Sequence, residues 1–131
     1  SQKALEMAVD IARLSQAEIY ILTSVKMPQF ITSVASREML NRLEEQSQEY
    51  FDNILNDAEE KVKKEGITVR TVILQDSPGE AIVRFAEKEN IDLIAIGSHN
   101  RKPVERFLLG LGSVSSYVIN HAPCPVLIAK V

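Results

Sequence analysis

An apolar run broken only by Asp92 ends directly at Gly97, and it constrains the fold more than any other feature of the chain. Residues 91–96 show no regular alternation of apolar and polar side chains, and neither do residues 18–25. This pattern is typical of strands covered on both faces. Residues 67–74 alternate and predict a strand with one more exposed face. Strands buried on both faces belong to parallel sheets, in which helices connect successive strands.

Helices are predicted around and between these strands, where apolar residues recur every three or four positions. The predicted helices cover residues 2–15, 36–65, 78–89 and 113–121. Ser1 and Ser36 are candidate N-caps, and Pro78 fits the first turn of a helix. Gly66 and Asn90 are expected to end helices.

The order of these elements predicts a fold class. Residues 26–36 are predicted as a loop and residues 126–130 as the last strand. Alternating strands and helices give an α/β fold, a doubly wound open parallel sheet with helices on both faces. A length of 131 residues predicts one domain over residues 1–131. Ligands of such sheets bind beyond the carboxyl ends of the strands, so Val25 and Gly97 are expected on one rim.

Composition limits the kinds of partner that the protein can have and the cellular compartment in which it can work. The net charge is −3 and no long basic run occurs, so no nucleic-acid partner is expected. No apolar run approaches the roughly 20 residues of a membrane helix, and no membrane association is predicted. Cys124 is the single cysteine, which excludes an internal disulfide and favours a reducing cytoplasm. The basic residues Arg101, Lys102 and Arg106 either steer a phosphate or form a solvated face.

The candidate ligand site consists of two glycine segments that flank a loop. Glycine lets a backbone approach a ligand closely, and free amides at a helix start attract anions. The two segments therefore predict a phosphate cradle. The candidate ligand-binding residues are Gly97, Ser98, His99, Asn100, Arg101, Gly110, Gly112, Ser113, Val114 and Ser115. Two alternatives stay open, because Gly97 could form only a tight turn and Ser113 could only cap the helix that it starts.

Catalytic and metal-binding patterns are absent from the sequence. His99 has no orienting carboxylate at a convincing spacing, so a loop histidine contacting ligand or solvent is favoured over a general base. No clustered His, Cys and carboxylate ligands occur, so no protein metal site is predicted. The glycines are not followed by the Gly-Lys-Ser/Thr of a Walker A loop, and no Gly-x-Ser-x-Gly elbow occurs.

The glycine segments resemble those of the universal stress protein family. Nucleotide-binding members carry Gly, two residues, Gly, nine residues, and then Gly followed by Ser or Thr. Gly97, Gly110 and the pair Gly112-Ser113 match this pattern in type, and residues 122–128, Ala-Pro-Cys-Pro-Val-Leu-Ile, are also typical. The likeness extends over the whole chain. The pattern is altered in two places, since Asn100 replaces the second glycine and the final glycines are spread over Gly110-Leu111-Gly112.

The resemblance implies a Rossmann-like fold of the adenine nucleotide alpha hydrolase type and a role in stress response. It implies binding of ATP or a related adenine nucleotide, with Val25 near the adenine and the glycine loops around ribose and phosphates. Mg²⁺ would arrive with the phosphates, and turnover would be at most that of a slow ATPase. Family members begin with a buried strand before the turn at Ser1, so a first strand is expected to be missing from this sequence.

The resemblance also implies a partner. Family members commonly dimerise through the last strand, and Val126 to Lys130 form a suitable apolar edge. An alternative function is therefore a dimeric interaction protein of the same fold that does not bind nucleotide. A small α/β enzyme such as a hydrolase ranks last, because no nucleophile and base can be identified.

Overall fold

Helices and strands alternate along the chain, as the sequence predicts. The computed structural model describes residues 1–25, 27, 29–98 and 113–130. The elements are α1 (Gln2–Ser15), β1 (Ile19–Ser24), α2 (Gln29–Val34), α3 (Arg37–Lys63), β2 (Val69–Leu74), α4 (Pro78–Lys88), β3 (Ile94–Ser98), α5 (Ser113–His121) and β4 (Val126–Lys130).

The predicted caps and helix-ending residues are confirmed, but α3 and α4 end at Lys63 and Lys88, before the predicted residues 65 and 89. The hydroxyl oxygens of Ser1 and Ser36 each accept the backbone N–H three residues on, at 3.3 and 3.2 Å. Pro78 is the first residue of α4. Gly66 has φ of 74° and Asn90 has φ of 51°, so both adopt the left-handed conformation in which helices commonly end.

The described strands form two parallel pairs. In the first pair, β1 and β2 run in register from Ile19↔Val69 to Ser24↔Leu74. In the second, β3 and β4 run from Ile94↔Val126 to Ser98↔Lys130. Helix α1 contacts strands of both pairs, α3 packs on the first pair and α5 on the second, and α4 packs on β1 and on α5. The predicted α/β class with parallel strands and crossover helices is confirmed.

The exposure of β1 differs from the prediction. All six of its residues are half-buried, whereas its sequence predicts a strand covered on both faces. Among the described strands, β1 pairs only with β2, so its other edge has no strand to cover it. The expectation of a strand before Ser1 stays a prediction.

A small apolar cluster lies under the first strand pair. Its buried members are Ala12 of α1, Val62 of α3, and Ile67 and Val69 at the start of β2. Partly buried apolar residues of α1 and β1 pack against it: Leu5, Val9, Ile19 and Ile21. The helical spacing and the strand patterns therefore converge on one core, as amphipathic elements require.

Several boundaries differ from the prediction, among them the start of β2 at Val69 instead of residue 67. The loop predicted over residues 26–36 is wrong in part, because α2 occupies Gln29–Val34. The strand predicted over residues 91–96 begins only at Ile94 and continues through Ser98. The N–H of Ile91 still donates to a carbonyl of α4, at 3.0 Å, and pairing with the segment that leads into β4 starts with the N–H of Ile94.

The apolar stripe predicted along the third helix is buried only in its second half. Leu55 and Val62 are the buried residues of α3. In the first half, Met39 and Tyr50 are 55% and 62% exposed and Leu40 and Leu43 are half-buried, so the described residues cover its apolar side only in part.

Within the described ranges, no helix is both long enough and apolar enough to cross a membrane.

Candidate functional site

The carboxyl ends of β1 and β3 carry the candidate residues that lie in the described part of the chain. Val25 follows β1 directly and donates its backbone N–H to the carbonyl of Leu74 at the end of β2, at 2.7 Å. Gly97 and Ser98 are the last two residues of β3. These positions lie at the carboxyl ends of their strands, the rim at which parallel sheets commonly bind ligands.

The alternative in which Gly97 forms only a tight turn after its strand is wrong, and its role as a ligand residue stays a prediction. Gly97 lies inside β3 opposite Ala129, because the strand starts three residues later than its apolar pattern suggests. A Cβ atom built on Gly97 would lie 2.3 Å from the Cβ and 2.6 Å from the Oγ of Ser1. The missing side chain therefore makes room for the N-cap of α1, which rests on the end of β3.

Helix α5 returns its N-terminus to the same rim, because β4 runs parallel to β3 and the helix between them must run back. Its first residues are Ser113, Val114 and Ser115, as predicted. Val114 is half-buried and Ser115 is 5% exposed. The first amides of an α-helix have no partner within the helix and, together with the helix dipole, favour an anion.

Five candidate ligand residues lie outside the described residues. They are His99, Asn100, Arg101, Gly110 and Gly112. Their roles stay predictions from the sequence.

Two lysines add positive charge at the end of β4. The ammonium group of Lys3 in α1 donates to the backbone carbonyl of Lys130, at 2.5 Å. Lys130 is paired with Ser98 in the register of the strands and is exposed. In the described ranges neither lysine forms an ion pair with a carboxylate. Both charges therefore favour an anion at this rim.

The packing of the C-terminal part of α5 explains the position of His121. The ring of His121 stacks on Tyr117 with centroids 4.1 Å apart, and its Nδ1 lies 2.9 Å from the Tyr117 carbonyl oxygen. Tyr117 in turn lies against Gly79 of α4, where a Cβ atom would be 2.9 Å from its ring. His121 thus lies at the end of α5 opposite Ser113 and packs on Tyr117.

A polar cluster at the ends of β1 and β2 was missed by the sequence reasoning. Asp76 accepts the N–H of Ser77 and pairs with Arg84 of α4, and its carbonyl accepts the hydroxyl of Ser24. The available signal was Asp76-Ser77-Pro78, a polar pair before a proline that opens a helix.

Cys124 lies beside β3. Burial raises the pKa of its thiol, the nearby Asp92 carboxylate raises it further, and a backbone hydrogen bond at Ile94 opposes both. A raised pKa makes a poor nucleophile at neutral pH. In the part of the chain that the structure describes, no three His, Cys, Asp or Glu side chains are grouped to hold a metal ion.

The fold and the rim together define a class, α/β proteins with a candidate anion site at the carboxyl ends of parallel strands. The model of the universal stress protein family matches residues 1–130. The chain belongs to this family.

Similar proteins agree with this assignment. The chain is 37% identical to universal stress protein MJ0531 of Methanocaldococcus jannaschii, over 99% of this chain and 75% of the relative. It is similar to the solved structure of MJ0577 from the same organism, with a TM-score of 0.80 and 30% identity over 98% of this chain and 85% of that one. It is also similar to the universal stress protein of Archaeoglobus fulgidus solved in complex with dAMP, with a TM-score of 0.62 and 26% identity over 96% and 84% of the two chains.

Proposed function

We propose that this protein binds an adenine nucleotide, ATP or a close relative, at the rim formed by Val25, Gly97 and the first turn of α5, and that it acts in a stress response. The observation that carries the proposal is the N-terminus of α5 at the carboxyl end of β3. The dAMP complex of the Archaeoglobus fulgidus relative supports the class of ligand.

The chemistry of the rim suits phosphate. Helix amides supply hydrogen-bond donors without a desolvated positive side chain, and the ammonium groups of Lys3 and Lys130 add charge nearby. Mg²⁺ would be bound through the phosphates, since it keeps several waters and needs few protein ligands. The glycine segments would contact ribose and phosphates, and Val25 would contact the adenine. We further propose a cytoplasmic location, on the ground of the single Cys124.

Ser113→Asp tests the nucleotide site. Ser113 is the first residue of α5, and an acidic side chain in the first turn of a helix suits the helix dipole, so the variant keeps α5. Its carboxylate would take the space of the phosphate group, and its negative charge would repel that group. Calorimetric titration with Mg·ATP should show binding by the unchanged protein and roughly tenfold or greater weakening in the variant, since charge-assisted contacts are worth about 1.5–3 kcal/mol.

Ser36→Asp is the control, because it adds the same negative charge at the start of another helix, where Ser36 is the N-cap of α3. It should leave the affinity for ATP unchanged. No heat from the unchanged protein at millimolar ATP would refute nucleotide binding, and equal weakening by both variants would refute the proposed location.

A second proposal concerns assembly. We propose a homodimer in which two copies meet through β4, because β3 covers only one edge of this apolar strand among the described strands. Light scattering should give the mass of two chains. Leu127→Lys should shift the mass to one chain, because lysines on an edge strand oppose pairing. Leu14→Lys, at a position 89% exposed on α1, should not change the mass. A single-chain mass for the unchanged protein would end this proposal.

A further inference from the structure

One residue joins β1 to α4 where β1 and β2 end. The Oδ1 of Asp76 accepts the backbone N–H of Ser77, at 2.7 Å, and its Oδ2 pairs with the Nη1 of Arg84 in α4, at 2.9 Å. The carbonyl oxygen of Asp76 accepts the hydroxyl of Ser24, the last residue of β1. Asp76 therefore fastens the end of β1 to the first two turns of α4.

These contacts of Asp76 lie next to Val25, a candidate ligand residue. Val25 follows Ser24, and its N–H donates to the carbonyl of Leu74, at 2.7 Å. Leu74 is the register partner of Ser24 and the last residue of β2. In the described residues, β1 pairs with a strand on one edge only. The bonds at Ser24 and Val25 consequently hold the end of β1 against the end of β2 and the residues that follow it.

We propose that Asp76 is a positioning residue for the base side of the nucleotide site: it holds the end of β1 so that Val25 meets the adenine. The inference rests on the proposed function. The carboxylate acts through Ser77 and Arg84 and does not touch the ligand, because both of its oxygens are engaged and a negative charge would repel phosphates.

A graded set of variants separates the contacts. Asp76→Ala removes both side-chain contacts, Asp76→Asn keeps an acceptor for the N–H of Ser77, and Arg84→Gln removes only the charged partner. Arg84 also pairs with Glu80, at 3.1 Å, and that exposed pair contributes little. We expect Asp76→Ala to weaken binding about tenfold and the two milder variants about two- to threefold, from the usual value of a hydrogen bond.

The ligand comparison distinguishes this role from one at the phosphates. Because the effect acts at the adenine, AMP and ATP should lose affinity by the same factor in each variant, whereas Ser113→Asp should affect ATP more than AMP. Arg42→Gln is the matched control, since Arg42 pairs with Glu38 on the exposed start of α3, at 3.0 Å. It should bind both nucleotides as the unchanged protein does.

Amide hydrogen exchange distinguishes a local effect at the end of β1 from a general loss of stability. Amide hydrogen exchange at Val25 should rise about tenfold in Asp76→Ala, because losing the Ser77 and Arg84 contacts destabilises the end of β1 by roughly the free energy of a hydrogen bond, while exchange at the fully buried Val62 stays unchanged. If Asp76→Ala does not fold, Asp76→Asn and Arg84→Gln carry the test with their smaller expected losses.

The outcomes separate the two proposals. Failure of the unchanged protein to bind AMP and ATP overturns the proposed function and this inference together. Binding by the unchanged protein with undiminished affinity in the Asp76 variants overturns the inference alone. So does a loss confined to ATP, or a loss without faster exchange at Val25.

Discussion

Gly97 shows how one residue can satisfy two different demands. The sequence assigns it to a ligand, whereas the structure places the N-cap of α1 where its side chain would be. Gly97→Ala would put a Cβ atom 2.3 Å from the Cβ of Ser1. We expect the free energy of unfolding to fall by about 1–3 kcal/mol, the usual cost of overpacking, as measured by urea denaturation.

The double variant with Ser1→Gly identifies the cause. Glycine is tolerated at an N-cap and removes the atoms that the new methyl group would meet. The two substitutions together should therefore cost less than their sum. Gly66→Ala is a control for backbone strain alone, because Gly66 has φ of 74° and no atom within 4 Å of an added Cβ. It should cost about 1 kcal/mol with no dependence on Ser1. Additive losses for Ser1 and Gly97 would contradict the packing explanation.

The surroundings of Cys124 predict that its thiol reacts more slowly than an exposed thiol. Burial and then the charge of Asp92 raise the thiol pKa above its ordinary value. A higher pKa means less thiolate at pH 8, so alkylation by iodoacetamide should be slower than for an unshielded thiol, and the pH–rate curve should lie at higher pH. Asp92→Asn should move the curve toward lower pH. Asp10→Asn, which removes an equal charge from α1, should not move it, and equal shifts in both variants would refute the assignment to Asp92.

At the scale of elements, burial is uneven along α3, a helix of 27 residues. Its buried residues, Leu55 and Val62, lie in its second half. Protection against hydrogen exchange follows buried packing, so amides of residues 41–53 should exchange faster than those of residues 55–63. Ser36→Ala removes the cap and should speed exchange in the first half, with a local cost of about 1 kcal/mol. Ser33→Ala should have no such effect, because its hydroxyl donates to Phe30 instead. Uniform protection along α3 would contradict this description.

The same elements show what sequence patterns can and cannot predict. The bounds of α5 match their prediction, and the caps at Ser1 and Ser36 are confirmed, because capping depends on local chemistry. Helix α2 was missed because its six residues are too few to show a helical period. The start of β3 was misplaced because an apolar residue such as Ile91 fits the end of a helix as well as a strand. In the structure its N–H donates to a carbonyl of α4. Burial along α3 depends on what packs against it, and no local pattern contains that information.

For the whole molecule, topology was the more predictable part of the candidate site. The order of strands and crossover helices places Val25, Gly97 and the start of α5 at carboxyl ends, and the sequence alone gives that order. The Ser1–Gly97 contact and the Asp76 cluster join residues far apart in the chain. They arise from packing between elements, which neither spacing nor composition encodes. The roles of Asn100 and of the altered Gly110-Leu111-Gly112 spacing stay predictions, since these residues lie outside the described ranges.

The proposed ligand should also stabilise the molecule as a whole. A ligand that binds only the folded state adds about 2.7 kcal/mol at a concentration of 100 times Kd, which for a domain of this size raises Tm by roughly 10 °C. Differential scanning fluorimetry with Mg·ATP should show this rise for the unchanged protein and for Ser36→Asp, but a much smaller one for Ser113→Asp. Mg·CTP at the same concentration controls for ionic strength and phosphate charge, because it offers the same phosphates without adenine. An equal rise with both nucleotides would mean that the rim binds phosphate without reading the base, and Val25 would then have no part in recognition.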